Sequence, residues 1–338
     1  MDEYKNYYGT EPATLCPQLF NTNTHLPIRL HDAYRLCMTL HDEMLKILHN
    51  GIEHKAFSVS IPLDDSLKTK LENSNSHILD WMKENGLDSE RAMTICLTVL
   101  PAVMRDMLNC IFESLEMARK GKMSLAFMLI RKPIQENLFL IEEIIISPQS
   151  FVENFENNLR KLQGTGIGGV SLHAQRLEHI LKNMTLTELY DAQYLAQLRY
   201  DKNSSDNLDG ICNQSIHLFT LKNQHIKTEK LNINMIFSKI NEIDTQSDFY
   251  FSRIVYITSY IYDIISHIGN EIVPTTDEYK IRINNVIEAL TAMWFIQLPE
   301  KYTSKEIYNF CLSKTKSLKN DLSYKECVEI INNWINQK

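Results

Sequence analysis

Side chains able to hydrogen-bond RNA or phosphate crowd one stretch of the chain: Arg199, Tyr200, Asp201, Ser204, Ser205, Asn213 and His217. An imidazole titrates near neutrality, so His217 can take or give a proton as a general acid or base. An arginine cannot give up its proton, so Arg199 would anchor a ligand or steady developing charge. A second cluster, Arg131, Lys132, Gln135 and Glu136, surrounds Pro133 inside KMSLAFMLIRKPIQENLFLIEEIII (122–146), the most apolar long segment. On a helix Lys132 and Glu136, four apart, can face each other, with Arg131 and Gln135 on a neighbouring stripe.

Each cluster also has a plain structural reading. The polar groups of 122–146 can form a salt bridge or a pin fixing bundle register. Alternatively a kink at Pro133 opens a polar pocket where Arg131 meets a ligand or a carboxylate. His217 lies between Ile216 and Leu218-Phe219, where a histidine can simply be a satisfied structural residue. The Asp and Asn residues around it can serve as turn formers and caps. Lys222, His225, Lys227 and Lys230 make a small basic patch or a solvated face.

Other chemistries find little support. His25, His31, His41, His49 and His54 crowd the N-terminal third without an H-E-x-x-H or a di-metal carboxylate spacing, so no metal site is expected. Gly164-Thr-Gly166-Ile-Gly168-Gly169 satisfies G-x-G-x-x-G. A dinucleotide fingerprint needs a preceding strand, whereas FVENFENNLRKLQ reads as helix, so the glycines read as an interhelical loop. No G-x-S-x-G nucleophile elbow occurs, and no cofactor is implied. The cysteines (Cys16, Cys37, Cys96, Cys110, Cys212, Cys311, Cys327) are scattered with no C-x-x-C pair. Four of them read as small core residues, which suits a reducing compartment.

The elements that must position these residues read as helices. From Ile28, apolar residues recur at three- and four-residue steps to Leu48, and Asn50-Gly51 reads as a C-terminal cap. Residues 52–62 alternate briefly and are compatible with an extended segment. A helix is expected from Asp64-Asp65 to Asn85-Gly86, then a long one from Asp88 or Ser89 to Lys120, bent at Pro101. Gly121 joins it to 122–146, so the two long apolar helices form an antiparallel hairpin, the expected centre of the bundle. Ser147-Pro148 ends that pair, and a short helix over 151–162 follows. Thr185-x-x-Glu188, Thr275-x-x-Glu278, Thr303-x-x-Glu306 and Ser323-x-x-Glu326 read as capping boxes, and 247–270 as an aromatic helix. The fold class expected is all-α, a multi-helix bundle of about ten helices. Residues 1–27 would be an irregular arm and 28–338 one helical domain, with a weak possible boundary near 147–170.

Of the 338 residues, 44% are apolar and 23% charged, ample for a packed core. Ten glycines and nine prolines favour long helices with short connections. A net charge of −7 argues against broad, non-specific nucleic-acid binding while leaving room for a local basic site. The N-terminus lacks a signal-peptide pattern and no run of roughly eighteen apolar residues occurs, so a cytoplasmic protein with no membrane partner is expected.

The pairing of IRKPIQENLFLIEE (130–143) with RYDKNSS…GICNQSIHLFT (199–220) resembles HEPN-like bacterial all-helical proteins over about residues 90–270. The resemblance implies a helical bundle, often dimeric, acting as a metal-independent ribonuclease in toxin–antitoxin or phage-defence systems. Its signature is an Arg, then usually a polar residue, with a His a few positions on. Arg35 and His41 have that spacing, with Leu36 in the polar position. Arg199 and His217 are too far apart in sequence and would have to meet through folding, with Arg131 arriving from the neighbouring helix. The implied chemistry is attack of a ribose 2′-hydroxyl on the adjacent phosphate, with His217 as acid or base and Arg199 or Arg131 stabilising charge. Tyr200, Asp201, Ser204, Asn213 and Glu136 would contact the RNA. The other function open to the sequence is a non-catalytic helical interaction, scaffold or regulatory subunit, homo-oligomeric or bound to a partner protein.

Overall fold

A computed structural model of the chain describes residues 24–204, 206, 208–221, 227–272, 275–316, 318 and 324–335. The described residues are helices joined by turns, with no strand among them, so the fold is all-α. Most of the expected arm lies outside the described residues. Its end is tied down where His25 N donates to Arg119 O (2.9 Å) and Leu26 is buried.

A 3₁₀ turn leads into α1 (His31–Glu53). The helix runs past the expected stop at Asn50-Gly51, and the glycine serves packing instead: a Cβ on Gly51 would overlap the Phe57 ring. The 52–62 stretch then turns rather than extends, Ala56 N donating to Gly51 O at 2.8 Å. The single helix expected over 64–86 is two, α2 (Asp65–Glu72) and α3 (Ile78–Glu84). Between them Asn73 Nδ2 donates to Thr69 O and the His77 ring accepts from Leu79 N, so polar side chains compete for the backbone and stop the helix.

Helix α4 (Asp88–Arg119) passes through Pro101 unbroken. Gly121, at φ 71°, turns the chain into α5 (Met123–Lys132), a π turn (Pro133–Asn137) and α6 (Leu138–Ile146). The two limbs run antiparallel: Ser114 Oγ donates to Ala126 O (2.7 Å), Lys132 meets Asp106 (2.7 Å), and Asn137 Nδ2 donates to Asp106 (2.7 Å). By length and composition α4 could cross a membrane, yet it turns Cys96, Leu100, Met104, Leu108 and Ile111 into the core.

Ser147 caps α7 (Pro148–Asn157), accepting from Ser150 N. A 3₁₀ turn (Leu159–Leu162) and a one-turn helix, α8 (Gly164–Ile167), lead to α9 (Val170–Asn183). The chain continues through α10 (Ala192–Tyr200), α11 (Leu208–Ile216), α12 (Ile240–Ile272), α13 (Asp277–Gln297), α14 (Lys305–Lys314) and α15 (Tyr324–Ile335). Thr185 does not cap a helix; it sits at φ 55° and α10 is capped by Asp191, whose carboxylate accepts from Tyr194 N (2.7 Å). The other two boxes act one residue late, through Thr276 and Ser304, and Ser323 lies outside the described residues.

The most enclosed helix is α12. Every residue from Tyr250 to Tyr262 is buried, on all sides of the helix. The hairpin leaves Thr98, Ala102, Arg105, Asn109 and Phe112 of α4 on the surface. The Ser, Arg and Thr within YFSRIVYITSYIY lower the hydropathy of α12, yet they are carried inside: Arg253 binds Asp206 and donates to Tyr302 O (2.7 Å), and Ser252 Oγ donates to Phe249 O (2.6 Å). One continuous apolar core runs from Leu26 to Ile331, with α1, α4, α5 and α12 meeting in it.

Candidate functional site

Pro133 cannot donate a backbone hydrogen bond, and the helix answers it by widening rather than by a break. Over the π turn Leu138 N donates to Pro133 O, five residues back. The extra residue rotates later side chains off the ordinary i, i+4 register. Lys132 therefore pairs with Asp106 across the hairpin instead of with Glu136, which is exposed. A π turn also frees a carbonyl, and Arg199 takes it: its Nε donates to Ile134 O at 2.7 Å.

Arg199 is the hub of a sealed ion cluster. Its two terminal nitrogens hold Glu142 at 2.7 and 3.1 Å, with both side chains fully buried. Glu142 also accepts from Arg176 Nη1 (2.8 Å) and Tyr260 OH (2.9 Å), and Arg176 binds Glu143 at 2.5 Å and Phe139 O at 3.1 Å. Two cations meet two carboxylates, so the cluster is neutral, and each oxygen of Glu142 has two donors. That is the condition under which charge survives burial. Burial alone would raise the Glu142 carboxyl, yet the charges of Arg199 and Arg176 hold it below its ordinary value.

Tyr200 stacks on His173, ring centroids 3.7 Å apart, and His173 Nε2 meets Gly164 O at 2.9 Å. Burial, with the nearby charges of Arg199 and Arg176, pushes the His173 imidazole down to about 4. At neutral pH it is uncharged and donates from Nε2 to the carbonyl. The start of the glycine stretch thus closes on this stack at Gly164. A Cβ on Gly164 would stand 3.1 Å from the Tyr200 ring, and one on Gly166 would overlap Arg160 O.

The residues chosen for catalysis are only partly brought together. Arg131 (Nε to Asp209 Oδ1, 3.6 Å) and Gln135 (Nε2 to Asp209, 2.6 Å, and to Arg199 O, 2.7 Å) do face the 199–217 stretch. Asp201 accepts from Asn203 N and Ser204 Oγ from Asp206 N, which are turn-forming roles. Asn213 is half-buried on α11, and Ser205 lies outside the described residues. His217 is exposed just past α11, while Arg199 is sealed under Glu142 with no face open to a phosphate. The expected Arg199–His217 pairing is therefore corrected: every donor nitrogen of Arg199 is held by the protein interior. Arg35 and His41 do not converge either. Six residues put them about 120° apart around α1, Arg35 against Asp32 and His41 against Asp42 and Phe112.

Beyond His217 the chain builds an inside-out loop. Thr220 N donates to Thr228 Oγ1 (2.7 Å), Thr228 Oγ1 to Asn234 Oδ1 (2.8 Å), and Asn234 Nδ2 to His217 O (2.7 Å) and Thr220 Oγ1 (2.9 Å). Two backbone bonds, Thr228 N to Thr220 O and Asn234 N to Leu218 O, close the knot. Its polar groups face one another, and most of its described apolar side chains face out: Leu218, Phe219, Leu221, Leu231, Ile236, Phe237 and Ile240 are each more than half exposed, while Met235 packs against the core. Leu231 and Met235 hold positive φ, 61° and 55°, a conformation that costs a side-chain-bearing residue about 1–2 kcal/mol. The sequence read this segment as a basic patch or a solvated face, because its apolar residues are dispersed among Asn, Thr and Lys without helical or strand period. The signal present was the excess of Leu, Ile and Phe in a stretch with no periodic place to bury them. Glu142, Arg176 and His173 were missed because their partners are distant in sequence.

Among the described residues no group of three or more His, Cys, Asp and Glu side chains stands where it could hold a metal ion. Compared with protein-family models, with curated proteins and with solved structures, the chain matches none.

Proposed function

We propose that this chain is a helical interaction subunit that docks a partner protein through residues 216–221 and 227–240. The observation that carries the reading is the loop's inversion: hydrogen bonds inside, large apolar side chains outside. Exposed apolar residues scattered singly are ordinary, whereas this many on one short segment mark a contact surface. The Thr220–Thr228–Asn234 knot holds 217–220 against 228–234, and ordering these residues before contact lowers the entropic cost of binding a shaped partner. A fluid lipid surface gains nothing from such shaping. The segment carries four lysines against one glutamate on a chain of net charge −7. The matching partner is a protein with an apolar groove edged by carboxylates. Strain at Leu231 and Met235 fits a segment shaped for contact.

The HEPN-like ribonuclease reading ranks second. His217 is exposed beside lysine-bearing chain, which suits a phosphate, but it would need an arginine other than Arg199. The two readings separate in one experiment. A photo-crosslinking residue is placed at Phe219 or, as a control, at Thr98 of α4, and the chain is expressed in its host. The proposal expects one discrete heavier product from position 219, absent from position 98 and absent when Leu221 and Phe237 are changed to serine. A crosslink to RNA, to a second copy or to lipid alone, or no product, overturns it.

A further inference from the structure

A second feature stands apart from the loop. The faces of three helices open into a cleft of about 800 Å³: Glu43, Lys46, Ile47 and Asn50 of α1, Tyr262, Asp263, Ser266 and Asn270 of α12, and Tyr279, Lys280 and Ile283 of α13. These residues recur at three- and four-residue steps, so each helix presents one stripe to the same space. Gly269 sets the depth. A Cβ there would lie 2.8 Å from Ile47 Cγ2, so the glycine lets α12 close on α1 beneath the cleft.

Ile47, Met184, Tyr262 and Ile283 supply apolar surface, with Met184 and Ile283 almost fully buried. The wall carries a bonded trio. Glu43 accepts from Lys46 Nζ (2.5 Å) and Tyr279 OH (2.7 Å), and Lys46 also donates to the Tyr279 hydroxyl (3.0 Å). Glu43 is 5% exposed, so its charge is answered from within the trio. The other carboxylate, Asp263, is held by both Lys314 (2.8 and 2.9 Å) and Tyr190 OH (2.7 Å). Both acids in the cleft are thereby neutralised by protein groups. With Lys46 set against Glu43 and Lys314 against Asp263, Lys280 and Arg282 leave the described lining net positive.

We infer that this cleft binds a small organic anion, its acid end against Lys280 and its apolar body along Tyr262, Ile47 and Ile283. The volume lies within the range of small-molecule sites, which are largely apolar with a few placed polar groups. A fatty-acid-like carboxylate and a nucleoside monophosphate share this chemistry, and the test separates them.

Octanoate, AMP, inorganic phosphate and octylamine are titrated by calorimetry into the wild-type chain, Lys280→Glu and Asn270→Trp. The second variant fills the cleft from an exposed position without changing charge, and thermal melts establish that each variant is folded. The inference expects octanoate or AMP to bind with Kd below about 1 mM, with the tighter of the two naming the ligand class. It expects phosphate alone and octylamine to bind at least roughly tenfold more weakly, and both variants to lose at least roughly tenfold. Equal binding of octylamine, binding indifferent to both variants, or no binding of octanoate and AMP overturns it.

Discussion

Replacing Arg199 with methionine separates a structural arginine from a catalytic one. Methionine keeps the apolar stem and removes three hydrogen bonds, two to Glu142 and one to the Ile134 carbonyl. Glu142 keeps Arg176 and Tyr260, but the cluster falls from two cations against two carboxylates to one against two. Breaking a buried pair on one side costs about 3–5 kcal/mol, a large part of the stability of an ordinary domain. Removing Glu142 as well leaves the Arg176–Glu143 pair intact, so Arg199→Met with Glu142→Met should be less destabilised than Arg199→Met alone. The loss should also depend on pH. In the wild type the Glu142 carboxyl lies below its ordinary value, so its contribution is present above that value and lost as pH falls through the folded one. Without Arg199, burial pushes the carboxyl up, the folded variant takes a proton more readily than its unfolded chain, and acid relieves it. The gap between variant and wild type should therefore narrow from pH 8 to pH 5. Urea unfolding followed by circular dichroism reads both effects. A single variant within about 1 kcal/mol of wild type, or a gap that does not change with pH, would refute the reasoning.

His173 gives a second pH signature. Its imidazole lies at about 4 in the fold against an ordinary 6.5, so the unfolded chain binds the extra proton between those values. Stability should rise with pH across that window, by at most about 3 kcal/mol, and His173→Phe, which keeps the stack on Tyr200, should flatten the slope in urea melts at pH 4.5 and 7. Gly166→Ala should lower stability by roughly 1–3 kcal/mol, because its Cβ would overlap Arg160 O, whereas Gly169→Ala, with open space around it, should be close to neutral in the same melts. A purified chain incubated with single-stranded RNA should leave it intact, with His217→Ala indistinguishable; cleavage lost in His217→Ala would restore the ribonuclease reading.

Periodicity made the helical class legible, along with α1, α4, the Gly121 turn and α12, because apolar residues at three- and four-residue steps need only local chemistry to be read. The π turn was not legible. Pro133 signals trouble in a helix, but whether the chain breaks, kinks or widens depends on Arg199 arriving to take the freed carbonyl. The capping boxes slipped by one residue because adjacent Thr275-Thr276 and Thr303-Ser304 offer equivalent side chains, and the second of each pair caps the helix. Arg131 and Gln135 do reach the polar stretch, while Arg199 turns inward to Glu142, which the sequence shows only as one acid in an apolar run.

Asn234 joins the loop's polar interior, donating to His217 O and Thr220 Oγ1 and accepting from Thr228. Asn234→Ala leaves all the exposed apolar side chains of 216–240 in place and removes the knot that arranges them. Photo-crosslinking from position 219 in that background asks whether arrangement or mere greasiness makes the contact. The docking account expects the discrete partner product to disappear while the melting temperature of the chain stays within a few degrees of wild type. An undiminished product in Asn234→Ala would contradict it.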